Sequence, residues 1–98
     1  MKITKDIKEG KLNIAIEGRL DTVTAPELKN EISDLSGITS AVIDMSGCEY
    51  VSSAGLRVLL LFHKSLMDKE GLTITGVNED VMEIMEVTKF SEVLNIVR

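Results

Sequence analysis

Large apolar residues alternate with polar ones over Leu12, Ile14 and Ile16, a period of two that predicts a strand with one face turned to a core. Ahead of it, Lys2 to Lys8 and a turn at Glu9-Gly10 complete a hairpin. Gly18 to Val23 then lead into Thr24-Ala25-Pro26-Glu27. There Thr24 is placed to cap a helix, Pro26 fits its first turn and Glu27 completes a capping box. The period lengthens over Leu28, Ile32 and Leu35, one apolar stripe of a helix that Gly37 ends.

Ala41-Val42-Ile43-Asp44-Met45 is a short, β-branched apolar run and reads as a buried central strand. Its end delivers Asp44 and Ser46 into a loop that also holds Cys48. After Tyr50-Val51 comes the strongest helical periodicity: Leu56, Leu59, Leu60, His63, Leu66 and Met67 predict a helix from about Ala54 to Lys69, stopped by Gly71. Leu72 to Thr75 form a further strand ending at Gly76, and Asn78 caps a shorter helix carrying Val81, Ile84 and Met85. Met67, Met82 and Met85 read as core filling. Phe90 to Val97 close with a helical turn and a short strand.

The order β-β-α-β-α-β-α-β predicts an α/β fold: one domain over residues 1–98, with a mixed sheet of four or five strands covered by helices. In such sheets binding loops gather beyond the carboxyl ends of the parallel strands. Asp21, Asp44, Ser46, Ser52 and Ser53 are therefore expected along one edge.

The 98 residues suffice for one core, and 44% hydrophobic with 28% charged residues is the composition of an ordinary globular domain. A net charge of −5 opposes binding to a phosphate backbone or an anionic membrane surface. The longest unbroken large-apolar run, Val58 to Phe62, is far below the roughly 20 residues that cross a bilayer. No signal-peptide apolar region develops after Met1, so a cytoplasmic setting is expected. The single cysteine cannot close an intramolecular disulfide and lacks the neighbours of a metal site. No metal or cofactor is predicted.

The candidate chemistry lies at Ser52-Ser53, where the longest helix begins. One of the two hydroxyls is expected to cap that helix by accepting an unpaired backbone N–H. The same geometry tolerates added negative charge, because the helix dipole favours an anion there. Gly55 would let another backbone approach closely. Arg57 stands one turn in. A hydrolytic reading fails: no Gly-x-Ser-x-Gly elbow is present, and the only histidine, His63, lies ten residues from Ser53, about 15 Å of helical rise. His63 falls in the apolar stripe and reads as a boundary residue. No phosphate-cradling Gly-x-x-x-x-Gly-Lys run occurs.

Ile43-Asp44-Met45-Ser46-Gly47 followed by Val51-Ser52-Ser53-Ala54-Gly55-Leu56-Arg57-Val58-Leu59-Leu60 resembles the signature of STAS domains, specifically of bacterial anti-sigma factor antagonists. Gly18-Arg19-Leu20-Asp21 with Thr24-Ala25-Pro26-Glu27-Leu28 is similar to the family's other recurring segment, so the resemblance spans essentially the whole chain. It implies a non-enzymatic protein that binds an anti-sigma factor, itself a serine kinase, and thereby releases a sigma factor for transcription. The kinase would phosphorylate Ser53, with Ser52 as the alternative acceptor, and a metal-dependent serine phosphatase would reverse the step. The family commonly has an aspartate where this chain has Ser52. Asp21, Thr22, Asp44, Ser46, Ser52, Ser53, Gly55 and Arg57 are the expected docking residues. The rival implied by the same resemblance is an unphosphorylated scaffold or accessory subunit of a signalling or transporter assembly.

Overall fold

The computed structural model describes residues 1–97. The expected hairpin pairs β1 (Lys2–Lys8) antiparallel to β2 (Lys11–Leu20), from Lys2 opposite Glu17 to Lys8 opposite Lys11. Its two-residue turn holds Glu9 and Gly10 at φ 52° and 80°, a left-handed pair suited to the twist of the strands. Helix α1 (Ala25–Glu31), β3 (Ser40–Val51), α2 (Ser53–Leu66), β4 (Gly71–Thr75) and α3 (Glu79–Val87) follow. A 3₁₀ turn over Phe90–Glu92 and a two-residue strand β5 (Ile96–Val97) end the order. The sheet runs β1-β2-β3-β4-β5, and every pairing after the first is parallel. The expected α/β class and mixed sheet are what the chain adopts, with five strands and three helices among the described residues.

Alternation decides which side the helices cover. Leu12, Ile14 and Ile16 of β2, Ala41, Ile43 and Met45 of β3, and Leu72 and Ile74 of β4 are all buried. They meet Leu28 of α1, Leu56, Leu59, Phe62 and Leu66 of α2, and Val81 and Met85 of α3 in one core. The residues of opposite parity, among them Asn13, Val42 and Asp44, stay exposed. The helices therefore cover one face of the sheet, and the other is open.

The largest departure from the sequence reading is the length of the central pair. β2 and β3 continue together to Leu20 and Val51, so the loop expected at Ser46 to Tyr50 is strand. Register shifts between Ala15 and Glu17 and between Gly18 and Arg19 absorb the misfit. Such bulges bend a strand locally, and burial falls on Met45, Cys48 and Val51, every third residue instead of every second. Cys48 is thus buried as expected, but in a strand and not in a loop.

Three helix ends also differ. α1 stops at Glu31, short of Leu35 and Gly37, where the Asp34 carboxylate accepts the Ser36 N–H at 3.0 Å and turns the chain. Thr24 forms no side-chain cap on α1, so the capping box with Glu27 is absent. Its hydroxyl is used in the preceding turn, as described below. α2 ends at Leu66, and Met67 is 64% exposed instead of core. Met85 is fully buried and Met82 half-buried.

Candidate functional site

The site is built where β3 hands over to α2. Ser52 is extended, φ −89° and ψ 174°, and its backbone N–H donates to the Leu20 carbonyl at 2.9 Å. Its carbonyl accepts the first helical bond, from Leu56 N–H, and its side-chain oxygen accepts Gly55 N–H at 3.3 Å. That geometry makes Ser52 the N-cap. Ser53 is the first residue of the helix proper and exposed, and its hydroxyl enters no hydrogen bond among the described residues. The first turn of α2 contains no acidic residue. The two serines, both candidates from sequence for the helix cap, are therefore distinct: the Ser52 hydroxyl is committed to the backbone, and Ser53 is exposed.

Asp21 lies in the turn after β2, close to this handover because β2 ends on the carbonyl that Ser52 binds. Its carboxylate accepts the backbone N–H groups of Val23 and Thr24 at 3.0 and 3.1 Å. The Thr24 hydroxyl accepts Asp21 N–H at 2.9 Å and donates to the Arg19 carbonyl at 2.6 Å. The Thr24 backbone N–H, helped by those of Val23 and the Thr24 hydroxyl and by the Arg19 charge, holds the Asp21 carboxyl below the usual aspartate range. Arg19 Nε sits 3.6 Å from Asp21 Oδ2, and its guanidinium lies 4.4 Å from the centre of the Tyr50 ring, which its strand pairing places opposite it. Asp21 thus shapes its own loop, and Thr22 and Val23 stand exposed on it.

Asp44 and Ser46 are elsewhere. Both belong to β3, on its exposed side, where the Asp44 carboxylate accepts Ser46 N–H at 2.9 Å. That backbone N–H, with the Ser46 hydroxyl, holds the Asp44 carboxyl low. Gly76, at φ +71°, packs so tightly on this bulge that a Cβ there would come within 2.8 Å of Asp44 Oδ1 and of Ser46 N. Ser46 lies inside β3, five residues before the strand ends at Val51, and not in a loop beyond the strand's carboxyl end as expected. β4 stops level with Asp44 whereas β3 runs on beside β2.

Gly55 is also corrected. It is buried, and the backbone that approaches it is this chain's own: a Cβ would lie 2.7 Å from both Leu20 O and Leu20 Cγ. Arg57 is exposed one turn after Ser53 and forms no ion pair among the described residues. His63 is half-buried with Nδ1 enclosed and unpartnered, a boundary residue on the far half of α2. Asn78 caps α3 as expected, accepting Val81 N–H at 2.8 Å, and its amide also donates to the Cys48 carbonyl at 3.0 Å. The Arg19–Tyr50 stack and this Asn78 brace were not foreseen. Both depend on strand register and bulges that no local pattern discloses.

Among the described residues no group of three metal-binding side chains occurs, and no helix is long and apolar enough to cross a membrane. The amino-acid sequence matches the STAS domain family model over residues 2–98. The chain belongs to the STAS domain family. A Bordetella bronchiseptica protein, BtrV, described as an anti-sigma factor antagonist, is 33% identical over 93 residues, covering 92% of this STAS chain and 80% of the relative. An anti-sigma factor antagonist from Mycobacterium paratuberculosis superposes with a TM-score of 0.83 at 23% identity, over 97% of this chain and 85% of that one. The phosphorylated form of the Bacillus cell fate determinant SpoIIAA superposes with a TM-score of 0.75 at 12% identity, over 99% and 92%. Within the STAS family, sequence groups this chain with the anti-sigma factor antagonist BtrV.

Proposed function

We propose that this STAS domain is a non-enzymatic anti-sigma factor antagonist, docking to an anti-sigma factor that is also a serine kinase and switched off by phosphorylation at Ser53. The observation that carries this reading is the division of labour between the two serines: Ser52 is the cap, and Ser53 is an exposed, unbonded hydroxyl at the first position of α2. In the step itself the Ser53 oxygen bonds to the terminal phosphorus of a nucleoside triphosphate, its proton passes to a base of the kinase, and the nucleoside diphosphate leaves. A serine phosphatase reverses the modification by hydrolysis.

The product fits the helix beneath it. A phosphate brings about −1.5 to −2 charges at pH 7 to a helix start whose dipole favours an anion by ~0.3–1 kcal/mol. Modification therefore changes the docking surface while leaving the fold intact, in keeping with a phosphorylated relative that shares this fold. The Asp21 loop, with exposed Thr22 and Val23, flanks the serine and belongs to the same surface.

The test has two arms. Mass spectrometry of the chain isolated from its own cells should find phosphate on Ser53 and not on Ser52, and Ser53→Ala should abolish it. Ser53→Ala should keep affinity for the anti-sigma factor captured from those cells, while Ser53→Asp weakens it about tenfold, ~1.4 kcal/mol. Equal binding by the two variants overturns the reading.

A further inference from the structure

On a chain of net charge −5, helix α2 carries no acidic residue from Ser53 to Leu66. Its charged groups are Arg57 and Lys64, both exposed, with Leu61 between them at 44% exposure. α3 is the converse: Glu79, Asp80, Glu83 and Glu86 with no base. The outward line of α2 is thus a basic one, and it begins at the serine proposed to be modified.

Ser53 and Arg57 are four residues apart in one helix, so their Cβ atoms face each other at about 5–6 Å. An anion placed N-terminal to a cation at this spacing is the favoured orientation. A phosphate's oxygens also suit the guanidinium fork, which bonds two of them at once. The other nearby arginine is already engaged: Arg19 contacts the Asp21 carboxylate and stacks on Tyr50. Arg57 has no ion pair among the described residues. We propose that Arg57 is the residue through which modification of Ser53 is read: the phosphate draws its guanidinium into a pair one turn along α2 and withdraws that cation from the docking face. One chemical event then alters two features of the surface, adding an anion at the helix start and removing the exposed charge next to it. The inference rests on the phosphorylation of Ser53 proposed above.

Its test does not need the kinase. Phosphoserine is installed at position 53 during synthesis of the full chain, and the phosphate is titrated by phosphorus NMR. The second ionisation of phosphoserine, ordinarily near about 6, should have a midpoint lower by roughly 0.3 pH units in the otherwise unchanged chain than in Arg57→Ala, the size of an i,i+4 pair. Arg57→Lys, which keeps the charge but not the fork, should restore only part of the lowering, Arg19→Ala should leave the midpoint in place, and about 1 M salt should erase the difference. Identical midpoints with and without Arg57, or a midpoint that follows Arg19 instead, overturn the pairing. Because the phosphoserine is installed directly, absence of Ser53 phosphate in cells removes the switch without touching this result. An indifferent midpoint removes the pairing alone.

Discussion

Replacing Gly55 by alanine sets two physical effects against each other. Alanine is the better helix former by about 1 kcal/mol, and the α2 backbone at this position is ordinary helix, so propensity alone predicts a gain. Space predicts the opposite. The new methyl would stand 2.7 Å from Leu20 O and Leu20 Cγ and 3.1 Å from Val51 Cγ1, and Leu20 is itself fully buried. The Leu20 side chain has nowhere to turn, and its carbonyl cannot retreat freely because it accepts Ser52 N–H at 2.9 Å. Overpacking of this kind costs about 1–3 kcal/mol, and weakening that backbone bond adds about 0.5–1.5 kcal/mol. The net expectation is a loss of about 1–3 kcal/mol, which for a chain of this length lowers Tm by roughly 5–15 °C. Urea unfolding followed by circular dichroism measures it, with an unchanged m-value showing that the unfolded reference has not moved. Ala54→Gly, at the half-buried neighbour that packs on the core, serves as a control that adds no atom and loses about 1 kcal/mol of propensity together with the packing of one methyl. A Gly55→Ala protein as stable as the parent, or more so, would refute the close approach of α2 to the end of β2.

Ser52→Ala should cost about 1 kcal/mol in the same unfolding assay, since it removes the N-cap of α2, while Ser52→Asp keeps an acceptor there and stays near the parent. Asn78→Ala removes both the cap of α3 and the bond to the Cys48 carbonyl, and should cost about 1–2 kcal/mol, with amide exchange faster in the first turn of α3. The Asp21 carboxyl is held low in the folded chain, so its stabilisation is present above the unfolded aspartate value of about 3.9 and is lost as pH falls through the folded value. The urea midpoint of the parent should therefore drop more between about pH 5 and about pH 2.5 than that of Asp21→Asn, whose remaining slope comes from Asp34 and Asp44.

The periodicities located the helices and the buried strands, because burial on one side forces alternation in strands and a stripe in helices, and those are properties of single segments; β1, almost wholly exposed, was legible through the turn that joins it to β2. Boundaries fared worse wherever a side chain had two uses. Thr24 looks like a cap from its position before Pro26 and Glu27, yet its hydroxyl closes the Asp21 turn instead. Met67 continues the apolar spacing of α2 but falls beyond the last turn that the sheet covers. The candidate site was legible as a serine pair ahead of a helix. Which serine caps was not, since it is settled by the pairing of Ser52 with Leu20, thirty-two positions away in sequence. The polar run from Ser46 to Tyr50 conceals a strand because pairing with β2 and two bulges outweigh local preference. Asp44 and Ser46 were placed beside Ser53 for that reason alone.

The bare side of the sheet gives the molecule a back as well as a front. Asn13 projects there, while the only native thiol, Cys48, is enclosed and its ionisation is pushed up by burial. A cysteine introduced at position 13 would consequently be the one site that thiol reagents reach, and a chain anchored through it would be held by its open face with the helices turned outward.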